Sequence, residues 1–259
     1  MNYSRVHYQV DQRVCTISLR HMESRNALDE TAVRELSHAF VTASKDNAVK
    51  AVVLTGTGSV FCTGEGPEYY AAIPAHDFGQ NVEEAKMIMR MMQIIYTLRK
   101  PVLARVNGPA HGIGCLLAAI CDFAVSSEKA TFGFPEVQSG LIQAIAVPFL
   151  VKKIGEGRTR ELMLRGNLIS AAQAKIYGLV TATATPDYLD SEISQFTKAL
   201  CTQSSSLSMG MLKEMFAMLD GMKLAEALEY AANMHAAARM TEDGKRGIEA
   251  LAKNQKLTW

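Results

Sequence analysis

Val106-Asn107-Gly108-Pro109-Ala110-His111-Gly112-Ile113-Gly114-Cys115-Leu116-Leu117-Ala118-Ala119-Ile120-Cys121-Asp122 joins a strand, a turn and a helix in one short run. The apolar residues Val102, Leu103, Ala104 and Val106 read as the strand. Glycines and a proline then make the turn, and an unbroken apolar helix follows. The first N–H groups of such a helix have no intrahelical partner, and the helix dipole adds positive potential there. Glycine lets a ligand oxygen come close to the backbone, so an anionic oxygen is the natural guest.

Two further segments extend that reading. Ala51-Val52-Val53-Leu54-Thr55-Gly56 reads as a buried strand leading to the turn Val60-Phe61-Cys62-Thr63-Gly64-Glu65-Gly66. Two turns with free N–H groups can converge on one carbonyl oxygen, the geometry of an oxyanion hole. Downstream, Ala130-Thr131-Phe132-Gly133-Phe134-Pro135-Glu136-Val137 sets a carboxylate in an apolar stretch. A polarised carbonyl beside a carboxylate points to proton chemistry next to a thioester.

The rest of the chain alternates strands and helices, which argues for an α/β fold with crossover connections. Arg13–Arg20 reads as a half-buried strand, and Pro101–Asn107, Asp122–Ser126 and Leu179–Thr183 as further strands. Asp29–Ser44 presents Val33, Leu36, Ala39, Phe40 and Ala43 on one helical face. Glu83–Leu98 is a Met-rich apolar helix ended near Pro101, suited to core packing or to lining a pocket for flexible acyl chains. Ala71–Asn81 is poorly patterned and reads as a surface loop or a lid. From about Ser204 the pattern is helical only: Ser208–Leu219, Leu224–Ala238 and Thr241–Lys253.

Composition narrows the function class. The 259 residues are 48% hydrophobic, enough for a substantial core. The 27 basic and 26 acidic residues give a net charge of +1, which favours neither nucleic acid nor an anionic membrane. No apolar run approaches the ~18 residues of a membrane span, and the start of the chain has no secretory character. Cys15, Cys62, Cys115, Cys121 and Cys201 fit no zinc or CxxC spacing, so a reducing cytoplasm is the expected compartment. Cys62 and Cys115 adjoin the expected hole, where a small buried hydrophobe is preferred over a reactive thiol. No metal cluster, dinucleotide fingerprint or phosphate loop is present, so no cofactor is expected.

The three segments, in this order and spacing, resemble those of the crotonase (enoyl-CoA hydratase/isomerase) superfamily. Its pattern is F-x-x-G-x-D, then V-N-G-x-A-x-G-G-G-x-E-L-A-x-x-C-D, then F-G-x-P-E. The resemblance runs from about Val14 to the last residue. It implies a spiral of ββα units over residues 1–203 and a helical oligomerisation region over 204–259, building trimers or dimers of trimers. It implies an acyl-CoA or acyl carrier protein thioester as substrate. The backbone N–H groups of Glu65 and Ile113 become the oxyanion donors, and Glu136 the proton carrier. Arg25 and Ala27, in Glu23-Ser24-Arg25-Asn26-Ala27-Leu28, are expected to border CoA together with Cys62 and Gly64. Arg25 faces a phosphate in that reading, or else is an ordinary surface cation. Gly112, Gly114, Leu116, Phe134, Gln143 and Ala144 complete the expected substrate surround.

The departures from the pattern bear on the chemistry. Ile113 replaces a usual glycine, and Gly66 a usual Asp. The second glutamate of hydratases falls on Leu116, which can neither hold a proton nor orient water. That change resembles the isomerases of the family and its single-Glu hydratase-like members. Ile142-Gln143-Ala144 replaces I-P-G, leaving the Ala144 N–H or the Gln143 side chain to hold water. Glu65, Glu68, Tyr69 and His111 are the candidate replacement acids, weighed against solvated side chains and, for His111, a hydrogen-bonded core histidine. Alternatives to a hydratase or isomerase are a polyketide β-branching dehydratase acting on a carrier protein thioester and a non-catalytic acyl-CoA-binding or assembly protein.

Overall fold

The computed structural model describes residues 3–219 and 221–259. The strands β1 (Val6–Asp11) and β2 (Val14–Leu19) form an antiparallel hairpin, followed by helix α1 (Glu30–Lys45) and β3 (Ala51–Gly56). Next come α2 (Pro67–Ala72), α3 (Phe78–Thr97), β4 (Val102–Val106), β5 (Ala110–His111) and α4 (Ile113–Ile120). Then follow β6 (Phe123–Ser127), β7 (Thr131–Gly133), α5 (Ala146–Arg165), β8 (Ile169–Ser170), α6 (Ala171–Tyr177) and β9 (Ala182–Ala184). The chain ends in α7 (Leu189–Gln203), α8 (Ser206–Met218), α9 (Leu224–Met240) and α10 (Glu242–Ala252).

Six strands make one sheet in the order β1-β2-β3-β4-β6-β9, parallel except for β1 against β2. Its central strands read as continuous apolar runs because both faces are covered. Val52, Leu54, Val102 and Ala104 pack into the main core with Leu36 and Phe40 of α1 and Met91, Met92 and Ile95 of α3. Val53, Leu103 and Val125 face the other way, onto Leu189 and Ile193 of α7. Burying each such side chain stabilises the fold by roughly 1.5–3 kcal/mol.

A second sheet has the order β5-β7-β8. Its strands have two or three residues each, and it positions the chemistry. Ala110 pairs with Phe132 and His111 with Gly133, so the segment carrying Glu136 lies beside the segment carrying Ile113.

The expected α/β architecture is present, with three local differences. The edge strand β1 is mostly exposed beyond Val6, so it carries little hydrophobic signal. Ala71–Asn81 is not an open loop: it contains the end of α2, a 3-10 turn at Ile73–Ala75 and the start of α3. Asp77 and Gln80 form a reciprocal capping box there, which starts α3 five residues before the expected Glu83. The strand expected at Leu179–Thr183 is Ala182–Ala184, because Leu179 and Val180 instead follow the left-handed Gly178 into the core.

Candidate active site

Parallel neighbours β3 and β4 end on the same edge of the sheet, so the turns after them lie side by side. Ligands of α/β sheets bind at such carboxyl edges. Cys62 N–H donates to the Pro109 carbonyl at 3.1 Å, and His111 N–H to the Cys62 carbonyl at 3.0 Å, which joins the turns. Two buried or half-buried asparagines fix the first turn from behind. Asn26 Nδ2 donates to the carbonyls of Thr57 and Val60, each at 2.9 Å, and Asn107 Nδ2 to those of Gly58 and Val60 at 2.8 and 3.1 Å. Asn26 Oδ1 accepts from the His21 N–H at 3.0 Å.

This framing brings the expected donors together. A Cβ placed on Gly64 would stand 3.1 Å from the His111 carbonyl oxygen and 3.6 Å from the Ile113 nitrogen. Gly64 has φ +89° and its carbonyl accepts from Leu28 N–H at 2.8 Å, which directs the next peptide towards α4. Among the described residues, no backbone acceptor takes the N–H of Glu65 or of Ile113. Ile113 opens α4, where an unpaired N–H is expected. Two unpaired donors at adjacent turns are what a developing oxyanion requires.

Glu136 is placed over them by the short second sheet. Gly112 N–H donates to Gly133 C=O at 2.8 Å; Phe134 then leads into a 3-10 helix over Pro135–Ser139. Gly112 has φ +53°, and a Cβ there would overlap Glu136 Oε1. Glycine is therefore required twice over, for its conformation and for the carboxylate packed against it. Glu136 is 9% exposed, and its Oε2 is buried with no hydrogen-bond partner in the chain. Burial, assisted by the Glu65 charge, holds its carboxyl above the usual range.

The Glu65 side chain also points into the site. Gln143 Nε2 donates to Glu65 Oε1 at 2.8 Å and Oε2 at 3.0 Å, and stands 3.5 Å from Glu136 Oε1. The Tyr70 hydroxyl lies 3.5 Å from Glu65 Oε2. Tyr70 carried no sequence signal, since a tyrosine on a short half-exposed helix resembles any other. Glu65 is thus half-exposed, with its carboxylate held by side chains of the site. The other replacement candidates lie elsewhere or are occupied. Glu68 is exposed and Tyr69 packs edge-on against Tyr70 at 5.4 Å. His111 Nε2 is 2.8 Å from Thr131 Oγ1, and burial lowers its pKa, so it is the hydrogen-bonded neutral histidine.

Several residues of the expected substrate surround are buried in this structure. Cys62 is fully buried, with its N–H and C=O engaged between the turns. Gly114 faces Cys62, where a Cβ would overlap the Cys62 carbonyl. Leu116 is fully buried in the main core, and Phe134 is 2% exposed. Cys62 and Cys115 thiols are pushed up to about 12 by burial, which removes a thiolate role. Ala144 lies exposed on the turn beside Gln143. Ala27 and Gly66 line a cavity of about 260 Å³ with Tyr69 and Ala72, and Arg25 is exposed near its rim segment with φ +55°. In the Met-rich helix, Met91 and Met92 are core, whereas Met87 borders the small cleft between Glu65, Tyr69 and Ile113.

Residues 9–259 match the family model described as Enoyl-CoA hydratase/isomerase. The chain belongs to the enoyl-CoA hydratase/isomerase (crotonase) family. A Thermus thermophilus protein assigned as an enoyl-CoA hydratase is 33% identical over 237 residues, covering 92% of this chain and 93% of its own. The mitochondrial enoyl-CoA hydratase of Pongo abelii is 30% identical, covering 94% and 82% respectively. Among solved structures, the enoyl-CoA hydratase of Mycobacterium smegmatis superposes with a TM-score of 0.91 at 28% identity, covering 99% of both chains. These relatives show the crotonase fold over nearly the whole chain. No helix among the described residues is long and apolar enough to cross a membrane.

Proposed function

We propose that this family member acts on an unsaturated acyl-CoA thioester, with the N–H groups of Glu65 and Ile113 holding the thioester oxygen and Glu136 moving the proton. The observation that carries this reading is the Glu136 carboxyl packed on Gly112, one residue before the Ile113 donor. In isomerisation of a 3-enoyl thioester, ionised Glu136 removes a proton from C2. The electron pair moves onto the thioester oxygen, where the two N–H groups stabilise it by about 3 kcal/mol each. Protonated Glu136 then returns the proton at C4, and the double bond settles between C2 and C3. Burial raises the pKa of Glu136, the direction that suits a carboxyl that both takes and gives this proton. Two unpaired donors beside a buried acid favour catalysis over thioester binding alone.

The 260 Å³ cavity at Ala27 and Gly66 is the expected place for pantetheine, with exposed Arg25 towards the CoA phosphates. CoA is substrate here, and no separate cofactor enters the scheme. Glu136→Gln keeps the shape of the site and removes the proton carrier. Turnover of 2-enoyl- and 3-enoyl-CoA is expected to fall at least ~100-fold, with thioester affinity largely kept. Near-normal turnover of either substrate would remove Glu136 from the mechanism.

A further inference from the structure

The position that would carry a second carboxylate on α4 is Leu116, fully buried among apolar side chains. A carboxylate there would enter a dry, packed layer. The second carboxylate of this site arrives instead from the turn after β3. Gln143 Nε2 contacts both oxygens of Glu65 and stands within 3.5 Å of Glu136 Oε1. An ionised carboxylate only accepts hydrogen bonds, so the amide nitrogen of Gln143 is the end that must face this pair. Both carboxylates lie on the Cβ side of Gly112: the Cβ position that overlaps Glu136 Oε1 is 3.7 Å from Glu65 Oε2. The pair therefore stands beside Gly112, the residue before the Ile113 donor, and Glu65 and Ile113 border one small cleft. Glu136 Oε2, buried and unpartnered in the chain, is the oxygen left to meet an acyl chain.

We propose that the side chain of Glu65 is the general base for hydration, holding and deprotonating water while Glu136 serves as the acid. The inference rests on the thioester reading above and extends it, since a lone Glu136 accounts for isomerisation but not for water activation. Water bound to Glu65 attacks C3 of a 2-enoyl thioester, and its proton passes to the Glu65 carboxylate. The C2–C3 π pair moves onto the thioester oxygen, held by the N–H groups of Glu65 and Ile113. As the enolate collapses, C2 takes the proton of Glu136. The product is the 3-hydroxyacyl thioester. The site then holds its proton on Glu65 rather than Glu136, and exchange with solvent returns it. Separated roles for adjacent carboxyls follow from unequal environments. Glu136 is the more buried of the two, with its Oε2 unpartnered in the chain, and Glu65 is half-exposed and held through both oxygens by an amide.

Glu65→Gln isolates the side chain, because the backbone N–H of residue 65 remains. The experiment compares hydration of a 2-enoyl-CoA with isomerisation of a 3-enoyl-CoA in wild type, Glu65→Gln and Gln143→Ala. Hydration by Glu65→Gln is expected to fall ~100-fold, and isomerisation by a much smaller factor, so the ratio of the two drops at least tenfold. Residual isomerisation also reports that the variant is folded. Gln143→Ala is expected to lower the hydration kcat by about tenfold with little change in KM, as loss of positioning would. An unchanged ratio in Glu65→Gln overturns the proposal and leaves the Glu136 reading intact. So does a wild-type enzyme that isomerises but does not hydrate. A wild-type protein that turns over neither thioester overturns both.

Discussion

Glu136 illustrates how one residue couples function to stability. Its carboxyl is buried against Gly112 with one oxygen unpartnered, and its pKa in the folded chain lies above that of an exposed glutamate. The sign of the consequence follows from proton linkage. Below the unfolded-state pKa, near ~4.3, both states hold the proton and burial carries no ionisation penalty. As the pH rises towards the folded pKa, the unfolded chain releases its proton first. The folded state then binds more protons than the unfolded state, so this group's contribution to stability falls with rising pH. A glutamine at 136 cannot ionise and escapes that loss. Glu136→Gln is therefore expected to be more stable relative to wild type at pH 7.5 than at pH 4.5, measured by urea unfolding at both pH values. A stability difference independent of pH would show that Glu136 is no more costly to ionise in the fold than in the unfolded chain.

At the scale of elements, the site depends on turns held by side chains rather than by long ladders. Asn26, 1% exposed at φ +57°, bonds three backbone groups and ties the Arg25–Leu28 segment to the turn that carries Gly64 and Glu65. Asn26→Ala takes the partner from the His21 N–H and the Thr57 carbonyl, leaves the Val60 carbonyl to Asn107 alone, and puts alanine in the left-handed region, which together are expected to cost about 2–4 kcal/mol. The Glu65 donor then loses its frame, so kcat/KM should fall about tenfold or more. Denaturant midpoints and steady-state rates check both effects, and wild-type values in each would mean that the Asn107 bonds suffice alone. The two turns were legible in the sequence because glycine spacing and apolar strands are local signals. Glu136 was legible for the same reason, as a carboxylate set in the apolar stretch Ala130–Val137. The pairing of Glu65 with Gln143 was not, because it joins residues 78 positions apart through the fold. Nor were β5, β7 and β8, whose two or three residues carry no periodicity. The early start of α3 was written in Asp77 and Gln80, a capping signal that a search for apolar faces passes over.

At the scale of the whole molecule, the C-terminal helices are attached at one end and uncovered at the other. Lys213 of α8 is anchored in the core: its Nζ lies 2.6 Å from Asp122 Oδ2 and 3.1 Å from the Lys100 carbonyl. Asp122 in turn accepts from Val102 N–H at 2.7 Å, at the start of β4. A largely buried ion pair of this kind costs several kcal/mol to break from one side, so α8 has a fixed place. The outer surface differs. Helix α9 buries none of its residues, and Leu224, Leu228 and Met240 are 76%, 61% and 71% exposed. Leu212 and Phe216 of α8 are also exposed, and they border an apolar cavity of about 470 Å³ with Tyr96 and Phe149. A helix whose apolar residues meet no core in its own chain points to burial in an assembly. We therefore expect a trimer or a dimer of trimers, the arrangement anticipated from the crotonase resemblance. Leu224→Glu/Leu228→Glu places two charges on the uncovered face and should shift the mass towards the monomer at micromolar concentration. The monomer's own contacts are barely touched, so its circular dichroism should remain native. Light scattering decides the matter: a strictly monomeric wild type would refute the assembly, and an unshifted oligomer in the double variant would move the interface away from α9.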